Sequence, residues 1–464
     1  MQQATLELAM IVRDGAATLS RCLESVAPVT DRITVGDTGS TDASIQIARS
    51  FGARVIDVPW REDFSLARNQ VLTACRSDWI LVLDADEMLD SEGRERVRKV
   101  IARPGIGAYD VWRWNYLRAT QIRSGEQGAR ANPGLLAAAK DYPAYALSLN
   151  TRLFRRHPEV YFERCVHETV AQRVDALGWK RAEASFVIHH FGQAEDEEPT
   201  RREKNELYQR LGLRKLRERP DDAHCCFELG LGELEHFRRP AAALQYFERA
   251  CELDKNNARA RLFLGMTQCR LGRYSEALES LAQAQRLKLD SPVLHETRGD
   301  VWFHVGEYDR ARGAYEQALT GPAFAPLTTA KLGAALVRLG FGEAGLRRIE
   351  AAIASNPEFA ELYDMLSAAA VLCGNLRLAA HAAETRLSIG EAEALHYQLA
   401  AEIREALGEP AAALRLALEG IEKFPADCRL RRVFKSVPHG TQQSVDLSEH
   451  PAEPEAISQI GGVT

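Results

Sequence analysis

The N-terminal part of the chain alternates between two hydrophobic periods. Trp79–Leu83, five apolar residues in a row, reads as a strand buried on both faces, and Leu6–Val12, Arg32–Val35 and Ala53–Val58 read as three further strands. Between them, apolar residues recur every three or four positions, as in amphipathic helices. Ala17–Val26 places Leu19, Cys22, Leu23 and Val26 on one face. A second stretch carries Ile45, Ile47, Ala48 and Phe51 and ends at Gly52, and Ser65–Ala74 is the third. Ser40 or Thr41 is expected to cap the second helix, with Asp42 in its first turn. The order β-α-β-α-β-α-β predicts a parallel sheet. Asp110–Leu117, Thr151–Arg155 and Ser185–His190 add three further strands. Residues 118–148, broken by Gly125, Gly128, Pro133, Gly134 and Pro143, read either as a flexible lid or acceptor loop or as a plain insertion.

From about residue 221 the pattern becomes wholly helical and repeats. Ala243, Ala277, Ala311, Gly345, Ala379 and Ala413 step by 34, and so do Gly272, Gly306, Gly340, Gly374 and Gly408. That is the tetratricopeptide period, with small residues where paired helices touch. Six repeats predict a curved solenoid suited to binding a protein partner or acceptor, or to self-association. The expected layout is an α/β domain over 1–205, a charged helical linker at 206–220, a solenoid over 221–436 and a disordered tail at 437–464.

Composition narrows the function classes. A 464-residue chain with 45% hydrophobic and 27% charged residues is ordinary for a globular protein of several domains. A net charge of −6 gives no reason to expect a nucleic-acid partner. The nine cysteines include no C-x-x-C spacing and read as reduced thiols. With no leader segment and no apolar run of spanning length, a cytoplasmic protein is expected, at most peripheral at the inner face of a membrane.

The candidate chemistry sits at strand ends. The Trp79 strand runs into Asp84 and Asp86, two carboxylates on one side of an extended chain. In open α/β sheets ligands bind beyond the carboxyl ends of strands. A pair of hard oxygen donors there favours Mg²⁺ or Mn²⁺. Asp37 ends the second strand on the same edge, where its carboxylate can accept from the N–H of a pyrimidine.

The stretches AMIVRDGAATLSRCLESV, VGDTGSTDAS and DFSLARNQVLTACRSDWILVLDADE resemble family 2 glycosyltransferases of the GT-A fold, over residues 6–90 and more weakly to about 205. The resemblance implies a Rossmann-like, mostly parallel mixed sheet, a UDP-sugar donor and a divalent metal. It implies that Asp37 holds the uracil, that Arg68 contacts the base or pyrophosphate, that Asp84 contacts the ribose and assists the metal, and that Asp86 binds it. The I-x-H-x-G pattern ending at Gly192 resembles relatives in which a histidine closes the metal site. His190 matches that position, with His189 facing the other way. Two positions depart from the family: Arg13-Asp14-Gly15 replaces a common Lys-Asn-Glu, and Gly36 stands where relatives often have an apolar residue.

An inverting transferase needs a carboxylate to take the acceptor's proton. Glu168, in the His167-Glu168 pair, is the candidate base. Arg201, Arg202 and Lys204 follow on a predicted helix, where they either approach the diphosphate or form a solvated face. The acceptor is expected to be a glycan, a lipid-linked sugar or a peptide side chain. The resemblance includes transferases of the same two-part layout that glycosylate cysteine or serine of small secreted peptides. The alternative reading is a repeat scaffold whose transferase domain is inactive.

Overall fold

A computed structural model describes residues 4–118, 128–195, 198–320 and 325–436. The expected disordered tail and residues 119–127 of the expected lid lie outside them. The α/β part runs β1 (Leu6–Val12), α1 (Ala16–Val26), β2 (Arg32–Asp37), α2 (Ser44–Ser50), β3 (Arg54–Asp57), α3 (Phe64–Ala74), β4 (Trp79–Val82) and β5 (Glu87–Met88). It continues through α4 (Ser91–Ile101), β6 (Ala108–Leu117), β7 (Ala129–Ala131), β8 (Ala144–Arg155), α5 (Ala171–Ala176), β9 (Arg181–His190), α6 (Gly192–Glu195) and α7 (Glu198–Glu218).

One sheet carries all nine strands in the order β3-β2-β1-β4-β8-β6-β9-β5, with β7 beside β8. β1 to β4 are parallel, as the alternating order of strands and helices predicts, and only β8 and β5 oppose the common direction. Leu8, Met10, Trp79 and Leu81 pack with Leu19, Leu23 and Val97 on one face. Ala9, Ile80 and Val82 pack with Ala67 and Val71 of α3 on the other. This two-sided burial explains the unbroken apolar runs. Gly36 has a local cause: a Cβ there would lie 2.5 Å from Val71 Cγ2 and 2.9 Å from Val58 Cγ2, so α3 occupies the space of a side chain.

Two expectations are corrected. Part of the stretch expected as a loop at 118–148 is sheet, because β7 pairs with β8 and β8 already begins at Ala144, in register with Leu117. Pairing with β6 satisfies that backbone, and Gly134 and Pro143 only delimit the turn before it. Neither Ser40 nor Thr41 caps α2, which starts at Ser44. Ser40 Oγ accepts from Asp14 N and Thr41 N donates to Asp14 Oδ1, so both join two loops. Asp42 Oδ1 accepts from Ser44 N at 2.9 Å instead.

The described residues form two compact units that divide between Val301 and Trp302. With the first go α8 (Ala223–Leu231), a π-helical turn at Gly232–His236, α9 (Pro240–Leu253), α10 (Ala258–Arg270) and α11 (Tyr274–Arg286). The boundary falls within α12 (Pro292–His304). The second contains α13 (Tyr308–Ala318), α14 (Pro326–Arg338), α15 (Gly342–Ser355), α16 (Ala360–Leu372), α17 (Leu376–Ser388), α18 (Ala394–Ala406), α19 (Pro410–Lys423) and α20 (Cys428–Ser436). Every small residue of the Ala243 series is buried. Gly345 shows why: a Cβ there would lie 2.5 Å from Gly333 O in the partner helix.

All five turn glycines have positive φ, from 72° at Gly374 to 89° at Gly340. The same position of the first repeat is Arg238, with φ 53°. A left-handed residue with a Cβ is strained by about 1–2 kcal/mol. Arg238→Gly is therefore expected to stabilise the first repeat by about 0.5–1 kcal/mol, after the entropy cost of glycine. Denaturant melts compared with wild type check this, and no gain would mean that Arg238's other contacts outweigh the strain.

Candidate active site

β4 delivers the acidic turn to the carboxyl edge of the parallel strands. Leu83 is fully buried, Asp84 and Asp86 follow it, and Glu87 is almost completely buried. Glu87 fixes the turn from inside: Asp84 N donates to its Oε2 at 2.9 Å. α1 closes one side, where Cys22 Sγ donates to Asp84 O. Gly15 leaves room there, since a Cβ would meet Ala85 Cβ at 3.2 Å.

Asp84 lies within an arginine cluster. Arg68 of α3 donates from Nη2 to Asp84 Oδ1 at 2.7 Å and from Nε to Glu168 Oε1 at 2.6 Å. Arg152 of β8 donates to Asp84 Oδ2 and to Glu87 Oε1, both at 3.2 Å, and Arg113 of β6 reaches Glu87 Oε1 at 3.1 Å. Asp84, Glu87 and Glu168 thus face Arg68, Arg113 and Arg152, a balanced cluster. Burial works to raise the Asp84 pKa, but the charges of Arg68 and Arg152 hold it well below the usual carboxylate range. Arg68 is 8% exposed, and its Nη1 is buried without a partner beside a small cavity lined by Ile11, Leu72, Val82 and Phe162.

Glu168 stands on a tight loop. Glu163 and Thr169 exchange backbone hydrogen bonds, and Arg164 and His167 between them have φ of 79° and 54°. α3 grips this loop: Asn69 donates to Phe162 O and accepts from Phe162 N, and Phe64 N donates to Cys165 O. The ARN triplet therefore has two jobs, with Arg68 holding the carboxylate and Asn69 the backbone below it.

The second cluster is Asp86 with His190. His190 Nε2 lies 3.3 Å from Asp86 Oδ2. Asn115 of β6, which pairs with His190 in register, sets the ring. Asn115 Nδ2 donates to Ala146 O and Ser148 Oγ, so its Oδ1 accepts from His190 Nδ1 at 2.9 Å. The bond to Asn115 keeps a proton on Nδ1 and turns Nε2 toward Asp86, where Nε2 donates to the carboxylate when protonated and offers its lone pair to a cation when not. Burial works to raise the Asp86 pKa, and His190 more than offsets it, leaving a net lowering. Gly192 supplies the space: a Cβ there would fall 1.9 Å from Asp86 Oδ2. The chain beyond is tied back by Arg21, which donates to both Glu195 oxygens at 2.8 and 2.7 Å and lies over Phe191. His189 faces away, buried with its Nδ1 against the Tyr116 hydroxyl.

Asp37 is buried at the end of β2 and accepts from Gly39 N and Ser40 N in its own loop. The structure brings Arg68, Asp84 and Glu168 into direct contact, and Asp86 and His190 into a second contact beside them. It does not bring Asp37 into hydrogen-bond contact with either group. Sequence reading missed Glu87, Arg113, Arg152 and Asn115. Glu87 ends the quoted WILVLDADE run, but the others are spread over two strands, where an isolated polar residue gives no signal. Among the described residues no three His, Cys, Asp or Glu side chains converge as a ready metal site.

A profile described as Glycosyl transferase family 2 matches residues 8–159, and a Tetratricopeptide repeat profile matches residues 237–299. A TPR repeat-containing protein of Synechococcus elongatus is 32% identical over 333 residues, which is 70% of this chain and 76% of that protein. The chain belongs to the repeat-bearing family 2 glycosyltransferases. An uncharacterised glycosyltransferase of Rickettsia bellii is 36% identical to this glycosyltransferase over 100 residues, 22% of this chain and 34% of that one. The chain spans about a third of that relative's length. Among solved structures, PilW, a type IV pilus biogenesis factor, matches with TM-score 0.41 and 20% identity over 46% of this chain and 97% of its own. No helix among the described residues is long and apolar enough to cross a membrane.

Proposed function

We propose that this glycosyltransferase moves a sugar from a UDP-sugar to an acceptor with inversion, assisted by a divalent cation. The observation that carries the reading is the Asp86–His190 pair, because a carboxylate and an oriented imidazole lone pair suit Mn²⁺ or Mg²⁺, Mn²⁺ better. Asp86 and His190 would hold the ion, and the donor's phosphates would complete its shell. When bound, the cation offsets the charge that develops on the leaving diphosphate. Asp84 takes a different part from the one its motif implies: with both oxygens facing arginines, it anchors Arg68 and Arg152 and leaves the ion to Asp86. Asp37 is assigned to the uracil.

Glu168 is the proposed base. Arg68 holds its Oε1, and Oε2 faces the acceptor, taking the hydroxyl or thiol proton as the acceptor attacks the sugar's C1. The repeats are assigned to a peptide or protein side chain as acceptor, since helical repeats more often grip polypeptide than glycan. The test is UDP release from a panel of UDP-sugars with and without Mn²⁺. Release that needs the ion is the expected result, and none from any UDP-sugar would overturn the donor assignment.

Asn115→Leu checks the part of the cation site that lies in the protein. It removes the acceptor that assigns the His190 proton while keeping bulk in the strand. Mn²⁺ affinity, read by calorimetry on the folded variant, is expected to fall about 10–100-fold.

A further inference from the structure

Helix α7 read as a charged connector, yet Lys204, Tyr208, Leu211 and Lys215 follow a four-three-four spacing that puts them on one face. The structure turns this stripe inward. Leu211 and Lys215 are 1% and 7% exposed, Leu211 O accepts from Cys165 Sγ, and Lys215 pairs with Asp222 at 3.0 Å. Tyr208 packs edge-on against Phe64 at 5.8 Å between ring centres, and 6.0 Å from the His167 ring. Phe64 lies one turn before Arg68, and His167 adjoins Glu168, so the Tyr208 ring packs beside the segments that carry the arginine cluster.

Lys204 lies one turn earlier on the same face. Its charge acts on both Asp86 and the Tyr208 phenol. Burial, together with the carboxylates Glu168, Asp84 and Asp86, pushes the phenol pKa up, so Tyr208 keeps its proton and remains a donor. Just beyond Tyr208 the helix is pinned by Arg210 and Arg214 on Glu62 and by Gln209 on Glu233.

We propose that Lys204 and Tyr208 contact the donor's diphosphate, making α7 a wall of the active site. The proposal rests on the nucleotide-sugar reading above. Charge balance supports it. Arg68, Arg113 and Arg152 are spent on Asp84, Glu87 and Glu168, so a diphosphate entering beside Asp86 needs positive charge from elsewhere. An ammonium and a phenolic O–H, one helical turn apart, supply a point charge and a directed donor.

The test is calorimetry on the full chain with Mn²⁺, titrating UDP, UMP and inorganic pyrophosphate. Lys204→Gln is expected to weaken UDP and pyrophosphate about tenfold and UMP less than about threefold, with Lys204→Arg recovering most of the loss. Tyr208→Phe, which keeps the ring packing, is expected to weaken UDP about threefold. Equal losses for UDP and UMP, or no loss, would overturn the proposal. Wild type that binds pyrophosphate through Lys204 but not UDP would support this contact and overturn the UDP reading. Binding of neither would overturn both.

Discussion

Asp86→Ala is expected to abolish Mn²⁺-dependent UDP binding and to lower sugar transfer by about three orders of magnitude, with the fold intact. Asp86 sits in a turn whose geometry is set by Glu87, through the Asp84 N–H, and by α1 through Cys22. Its own carboxylate makes one close contact with a charged partner, His190 Nε2. Truncating it breaks that one pair and leaves an imidazole that can stay neutral, so the loss of stability should be modest. What disappears is the oxygen donor to the ion, leaving a lone imidazole. Circular dichroism should match wild type while the Mn²⁺-dependent part of the UDP heat vanishes. Full Mn²⁺-dependent turnover by the variant would place the ion elsewhere.

Arg68→Ala should act oppositely, through stability first. Arg68 is nearly buried and joins two carboxylates from distant parts of the chain. Removing one member of such a cluster leaves uncompensated buried charge, at a cost of about 3–5 kcal/mol. A fall of that size in the denaturant stability of the first compact unit is expected. The pH dependence follows in sign. The Asp84 carboxyl titrates well below its unfolded value, so its stabilisation is present above the unfolded pKa and is lost as pH falls toward the folded one. Wild type should therefore lose stability on acidification below about pH 4, and the variant should lose less over that range because Arg68's contribution is already gone. Parallel pH profiles of unfolding for the two proteins would mean that Arg152 alone holds Asp84.

Much of this architecture was legible because burial writes itself into hydrophobic period. β4 came from an unbroken apolar run and β1 from one interrupted only by Glu7, and the 34-residue step predicted turn glycines that do adopt positive φ. The I-x-H-x-G pattern pointed to His190 and contained Gly192, whose missing Cβ makes room for Asp86. What stayed hidden depends on pairing between distant segments. Asn115 matters because register sets it beside His190, and Arg152 because β8 runs antiparallel to β4. Neither fact is visible in a local window. α7 stayed ambiguous for another reason: its inner stripe carries two lysines and a tyrosine, a composition that a solvated face would share. Ser40 and Thr41 misled because turn chemistry is local, while their partner Asp14 belongs to another loop.

The central claim is a cation-dependent nucleotide site at the end of β4. The most direct measurement is calorimetric titration of UDP into the full-length protein with Mn²⁺ and again with a chelator. A dissociation constant of about 1–100 µM with Mn²⁺, weakened at least about tenfold without it, is the predicted result. Equal affinity in both conditions, or no binding in either, would contradict it.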